Sequence, residues 1–225
     1  MRYDVIIVGA GPGGIYSAYE LMKKCSDKKI AVFDSGYSLK KRHCPIDGEK
    51  VKACIKCKSC SIMSGFGGAG AFSDGKYNIT NDFGGTLYEY IGKKAATELM
   101  QYVDDINMAH GGEGTKMYST AGTNLKKVCL QNRLKLLNAS VRHLGTDINL
   151  VVLGRLYDEL KEHVDFYFES PVSHIECLEN GGYRVWSNDK SYDCEKCIVS
   201  VGRSGSKWME HICKELDIPT KSNRV

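Results

Sequence analysis

The feature that most limits what this chain can become lies at its start. Residues 3 to 8 form a short, β-branched apolar run, Tyr-Asp-Val-Ile-Ile-Val, and Gly9-Ala10-Gly11-Pro12-Gly13-Gly14 follows it directly. Such a run reads as a buried parallel strand. Ile15, Ala18, Tyr19 and Met22 then recur at helical spacing, which predicts a helix over 13–25. Ile30 to Phe33 is a second strand, closed by Asp34. The three glycines in fixed places have separate reasons. Gly9 makes a tight turn, Gly11 lets the backbone approach a pyrophosphate, and Gly14 lets helix pack close to strand. Pro12 and Gly13 complete a helix N-terminus whose free N–H groups favour an anion. Asp34 stands twenty residues after Gly14, where a carboxylate can hold ribose hydroxyls.

The remaining chain sorts into segments. A loop-rich stretch runs from Ser35 to about Thr86 and holds four cysteines. Helix is predicted over 87–103, with a less regular region to Leu144. Thr146 or Asp147 can cap another helix, in which Ile148, Val152, Leu156, Leu160 and Val164 are the apolar positions. Short strands follow, separated by turns at Glu179-Asn180-Gly181-Gly182 and Ser187-Asn188-Asp189-Lys190. The last strand, Cys197 to Val201, ends at Gly202. These readings predict an α/β, Rossmann-like domain. Its parallel sheet would carry helices on one face and a β-meander on the other. The domain would be discontinuous, over 1–86 and 145–225, with a mostly helical insertion over 87–144.

The fingerprint alone does not separate FAD from NAD. Two features lean to FAD. Gly65 to Gly75 is a second small-residue loop, suited to close backbone approach along an extended ligand. The strand meander also stands where a nicotinamide dehydrogenase would have β-α-β crossovers.

Composition narrows the setting. The chain has 225 residues, 24 of them glycine but only four proline, so the glycines are not linker. Net charge is +4, too mild to imply nucleic acid by itself. Between Lys40 and Lys58, seven basic residues against Asp47 and Glu49 leave +5, which reads as a solvated basic loop. The N-terminus lacks a secretory h-region, and no apolar stretch approaches the roughly 20 residues that span a bilayer. A cytoplasmic location with reduced thiols is expected for the ten cysteines.

The Gly9–Gly14 fingerprint, the Gly65–Lys76 segment, Arg142-His143-Leu144-Gly145-Thr146-Asp147 and Gly202-Arg203-Ser204-Gly205 together resemble bacterial FAD-dependent dehydrogenases of the glutathione-reductase-like flavoprotein superfamily. The resemblance covers essentially the whole chain. It implies an FAD-dependent oxidoreductase, with FAD held by Gly9, Gly11, Gly14 and Asp34. It also implies that Gly67, Gly68, Ala69 and Ser73 lie near the flavin, Val172 at the adenine and Gly202 near the ADP portion. Relatives of this kind are longer, so the chain reads as their N-terminal, FAD-binding portion. A small-molecule substrate or an electron carrier such as NAD(P)H is the expected partner. No catalytic residue is identified.

Cys54-x-x-Cys57-x-x-Cys60, with Cys44 ten residues upstream, is the second signal. Thiolates two residues apart can turn back on one centre, and four could bind a [4Fe–4S] cluster or zinc. A redox dithiol and reduced structural thiols remain open beside that reading. Cys194 and Cys197 are expected on opposite faces of a strand and inert. Arg142 to Asp147 reads as a helix-capping loop with a surface histidine in preference to a general acid or base. His110 carries less. Two rival functions stand: a flavoprotein of nucleic-acid modification, on the basic loop, and a non-catalytic nucleotide- or metal-binding module.

Overall fold

The computed structural model describes residues 1–179 and 181–221. Asn180, within the Glu179–Gly182 turn, and the chain end Ser222-Asn223-Arg224-Val225 lie outside the described residues. In chain order the elements are β1 (Arg2–Val8), α1 (Pro12–Lys24), β2 (Ile30–Phe33), β3 (Lys76–Ile79), α2 (Leu87–Ile91), α3 (Lys93–Asn107), β4 (Met117–Ser119), α4 (Leu125–Gln131), β5 (Ser140–His143), α5 (Gly145–Leu160), β6 (Val164–Tyr167), β7 (Val172–Cys177), β8 (Tyr183–Ser187), β9 (Lys190–Val199) and α6 (Ser206–Glu215). Among the described residues no helix is long and apolar enough to cross a membrane. Two compact units emerge: Met1–Ala71 with Tyr157–Val225, and Phe72–Leu156.

The first unit is built on a six-stranded sheet of order β6-β2-β1-β9-β8-β7. β6, β2, β1 and β9 run parallel, and β7, β8 and β9 form an antiparallel meander. One long strand serves both parts. The first half of β9 pairs with β8, and its second half pairs with β1. Val172, Ile175 and Val185 of the meander bury against Ile6, Val8, Ala31 and Phe33, with Ile212 of α6 in the same cluster. The meander therefore covers one face of the parallel strands, as the sequence predicts. β2 is buried at all four positions, which explains its unbroken apolar sequence.

A polar tie crosses this core. The Tyr3 hydroxyl donates to Asp165 Oδ2 at 2.7 Å and lies 2.6 Å from the Tyr167 hydroxyl. Burial, followed by these bonds, raises the Tyr3 phenol above its ordinary value. Phe33 stacks on Tyr167 at a centroid distance of 4.6 Å and meets Tyr192 edge-on at 4.8 Å.

Cys194 and Cys197 correct the sequence reading. Glu195 and Lys196 are both exposed, and the alternation of faces along β9 slips there by one residue. The partner strand slips at the same level, since Tyr3 and Ile6 of β1 join one core cluster. Both cysteines therefore pack into that cluster, and their thiols hydrogen-bond each other. That bond, with burial, pushes the Cys197 thiol well above the usual range.

The second unit, Phe72–Leu156, contains the segment expected as a helical insertion, but its centre is a sheet. β3, β5 and β4 form an antiparallel sheet of order β3-β5-β4. Arg142 on β5 reaches into the unit: its guanidinium donates to the Asp104 carboxylate at 2.7 and 3.0 Å and to the Thr115 carbonyl at 2.6 Å. Asp104 is only 1% exposed, and hydrogen bonding to it raises the Arg142 pKa. His110 is buried in a π-turn over Met108–Gly112, its Nδ1 2.6 Å from the Ile106 carbonyl.

Removing one partner of a buried ion pair leaves the other uncompensated, at a cost of about 3 kcal/mol or more. Arg142→Met is expected to lower unfolding free energy by about that amount in urea titration. A loss below about 1 kcal/mol contradicts the structural role given to the pair.

Candidate functional site

The glycine turn between β1 and α1 is shaped by contacts that leave no room for side chains at two places. Gly9 has φ +103°, and a Cβ there would lie 2.8 Å from the Ser200 carbonyl oxygen. At Gly14 a Cβ would come within 3.0 Å of the Gly9 carbonyl carbon and closer still to its oxygen. The roles read from sequence for these two are therefore steric and internal. Gly11 differs. A Cβ there would meet only Gly68 Cα at 3.9 Å, so its missing side chain leaves open space. α1 begins at Pro12 with Gly11 as N-cap and with no side-chain cap. Its first N–H groups are thus left for another acceptor.

Asp34 ties this turn to β2. Its Oδ2 accepts from the Ala10 N–H and its Oδ1 from the Gly36 N–H, each at 2.7 Å. A carboxylate has about four lone-pair sites, so each oxygen can still accept from a hydroxyl. The Ala10 carbonyl in turn accepts from the Gly67 N–H at 2.8 Å, which joins the second glycine-rich segment to the first.

A cavity of about 740 Å³ opens above these residues, inside the first unit, within the roughly 300–1,000 Å³ usual for ligand sites. Gly9, Gly11, Pro12, Gly13 and Asp34 line it, joined by Gly68 and Ala69 of the second segment and by Val172 and Gly202. The structure thus gathers most of the residues singled out from the sequence around one space. Gly14 and Gly67 stand behind the wall in the contacts just described. Ser73 belongs to the second unit, where its hydroxyl accepts from the Gly75 N–H at 3.3 Å. Lys58 and Arg203 also line the cavity, so its charged lining residues are two cations and the Asp34 carboxylate.

The cysteine run is not gathered as a metal site. Among the described residues no three or more His, Cys, Asp or Glu side chains come together as a metal ion requires. Cys54, Cys57 and Cys60 are exposed and Cys44 is half-buried. Only Cys57 and Cys60 reach the cavity wall. Lys56, between the first two, takes a left-handed conformation at φ +54°, and no regular element holds the run.

Three residues that carried no sequence signal matter here. Arg42, read as one of a solvated basic loop, is 5% exposed. Its guanidinium donates to the carbonyls of Ser61, Ile62 and Phe66 at 2.8, 2.8 and 2.6 Å, pinning the segment that leads into Gly67. Burial lowers its pKa, partly offset by the field of Asp34. Only guanidinium offers a planar fork of five donors, and Arg42 stands among lysines that do not. The other two are Ser59 and Trp208. Both line the cavity, and the Ser59 hydroxyl and Trp208 Nε1–H are buried without a hydrogen-bond partner.

The first unit has the Rossmann-like fold of FAD-binding domains. Two solved structures agree on that fold. Glycine oxidase from Geobacillus kaustophilus aligns with a TM-score of 0.52 at 15% identity, over 96% of this chain and 58% of that one. NikD, an amino acid oxidase of nikkomycin biosynthesis, aligns in its open form with a TM-score of 0.50 at 9% identity, over 96% and 54%. An uncharacterized protein of Clostridium beijerinckii is 24% identical over 212 residues, 93% of this chain and 33% of that protein. The chain thus spans about a third of that relative and about half of the solved oxidases. No protein-family model matches it.

Arg42→Met removes the donors from three carbonyl groups, two of them in buried hydrogen bonds worth roughly 1 kcal/mol or more each. The substitution is expected to speed proteolysis within 59–67 at least tenfold while β1 and α1 stay protected. Unchanged cleavage there would show that Arg42 does not hold the segment.

Proposed function

We propose that the unit formed by Met1–Ala71 and Tyr157–Val225 binds FAD, and that the protein is an FAD-dependent oxidoreductase. The segment Phe72–Leu156 is then the insertion within that discontinuous domain. One observation carries the reading: the uncapped N-terminus of α1, the open space at Gly11, the Asp34 carboxylate and two orphaned polar groups all border one cavity. Each part suits a piece of a dinucleotide. The N–H groups of Gly11 and Gly13 suit a pyrophosphate, and Lys58 and Arg203 add positive charge to the same cavity. The free lone pairs of Asp34 suit ribose hydroxyls. The apolar wall of Phe33 and Val172 suits a base. When bound, FAD would supply hydride or electron transfer through its isoalloxazine ring.

This chain's own residues do the holding. Arg42 and the Ala10–Gly67 bond fix the second glycine-rich segment beside the first, so that Gly68 stands directly against Gly11. A small molecule, or an electron carrier such as NAD(P)H, is the partner this reading calls for. Kinship with FAD-dependent dehydrogenases of the glutathione-reductase-like superfamily belongs to the same proposal, supported by the fingerprint and the meander.

Gly11→Val is the sharpest test. A Cβ at Gly11 meets nothing closer than Gly68 Cα at 3.9 Å, so folding is expected to persist. Wild-type protein is expected to release FAD on denaturation, and the variant none. Release of NAD alone, or equal FAD from both, would refute the assignment.

An iron–sulfur or zinc centre at Cys44, Cys54, Cys57 and Cys60 finds no support in their arrangement. Metal analysis of anoxically prepared protein is expected to find well below one iron or zinc per chain, with these thiols open to titration. Stoichiometric metal with all four protected would reverse that conclusion.

A further inference from the structure

Trp208 sits on α6, a helix outside the glycine fingerprint and outside the second glycine-rich segment. Its indole packs on the core cluster that contains Val172 and Ile212, while the residue also borders the cavity. An indole nitrogen is a donor only, so its partner must be an acceptor. Buried here, the N–H has none. Leaving such a donor unsatisfied costs about 1–3 kcal/mol, a cost that a folded protein rarely carries without a use.

Ser59 poses the same question from another stretch of chain. It lies between Cys57 and Cys60, borders the same cavity, and its buried hydroxyl likewise lacks a partner. Two orphaned groups from segments about 150 residues apart in sequence thus meet one space.

The position of Trp208 narrows what it meets. Phosphates belong at the start of α1, where Gly11 and Gly13 line the cavity and present backbone N–H groups. Trp208, Val172 and Val201 belong to one apolar cluster and all three border the cavity. A flat, heteroaromatic group with ring-nitrogen acceptors matches both that wall and a buried donor. We infer that Trp208 donates its indole N–H to a ring nitrogen of an adenine base, and that Ser59 hydrogen-bonds the same nucleotide. The inference rests on the FAD reading and adds to it the residues that select the base. The glycine turn would hold any pyrophosphate. Trp208 would make the cavity prefer one bearing a purine.

The protein carries two tryptophans, Trp186 and Trp208, and Trp186 is not part of the cavity wall. In the Trp186→Phe variant of the 225-residue chain, Trp208 is the sole indole reporter. Titration with ADP is expected to change its emission saturably. Trp208→Phe keeps an aromatic ring but removes the N–H, and equilibrium dialysis is expected to show about tenfold weaker ADP binding, with inorganic pyrophosphate binding unchanged. Ser59→Ala is expected to weaken ADP about fivefold. If wild-type protein binds ADP and FAD while Trp208→Phe binds them equally well, this inference fails and the cofactor reading stands. An unresponsive Trp208 emission at saturating ADP overturns it too, without relying on a variant at position 208. If wild-type protein binds neither nucleotide, both fall together.

Discussion

The backbone of Ala10 is where the cavity is held together. Its N–H is taken by Asp34 at the end of β2, and its carbonyl by Gly67 at the head of the second glycine-rich segment. Three separate stretches of the sequence thereby converge on one residue. The approach is possible only because Gly9 and Gly14 lack side chains, letting the turn close on itself and on Ser200. Ala10 is fully buried, so these bonds are shielded from competing water. Once they are made, the first N–H groups of α1 point into a space that other elements have been brought up to enclose.

The arrangement divides labour between parts that shape the cavity and parts that face into it. Gly9, Gly14, Gly67 and Arg42 shape it. Gly11, Asp34, Lys58, Ser59, Arg203 and Trp208 face it. Asp34 does both, since its two oxygens brace the turn while each keeps a lone pair. A single short acidic side chain thus couples the position of the turn to the position of whatever its remaining lone pairs contact.

The β-α-β start was legible because its signals are local. Strand, glycine turn, helix and Asp34 all fall within about thirty-five residues, and each glycine has a steric reason that can be stated in advance. The meander was legible from its turns and short apolar runs. What was not legible is non-local. β3 pairs with β5 more than sixty residues later, and strands of three and four residues leave little periodicity to read. The slip in β9 was hidden as well: strict alternation puts Cys194 and Cys197 apart, and only the two adjacent exposed residues between them, seen in three dimensions, reverse that. Arg42 looked like one charge among many in a basic loop, and its burial depends on carbonyls brought to it by Phe66, itself fully buried among Tyr157, Phe166 and Phe168. Ser59 and Trp208 belong to no motif. Their orphaned groups acquire meaning only once a cavity stands beside them.

The central claim is that FAD binds through the two glycine-rich segments joined at Ala10. Amide hydrogen exchange with and without FAD tests it most directly. The account predicts slowed exchange at Ala10, Gly11, Gly13 and Gly14 and across Gly65–Ala71 on addition of FAD, with the β3-β5-β4 sheet unaffected. Protection absent from the Ala10–Gly14 turn at saturating FAD, or confined to Phe72–Leu156, would contradict it.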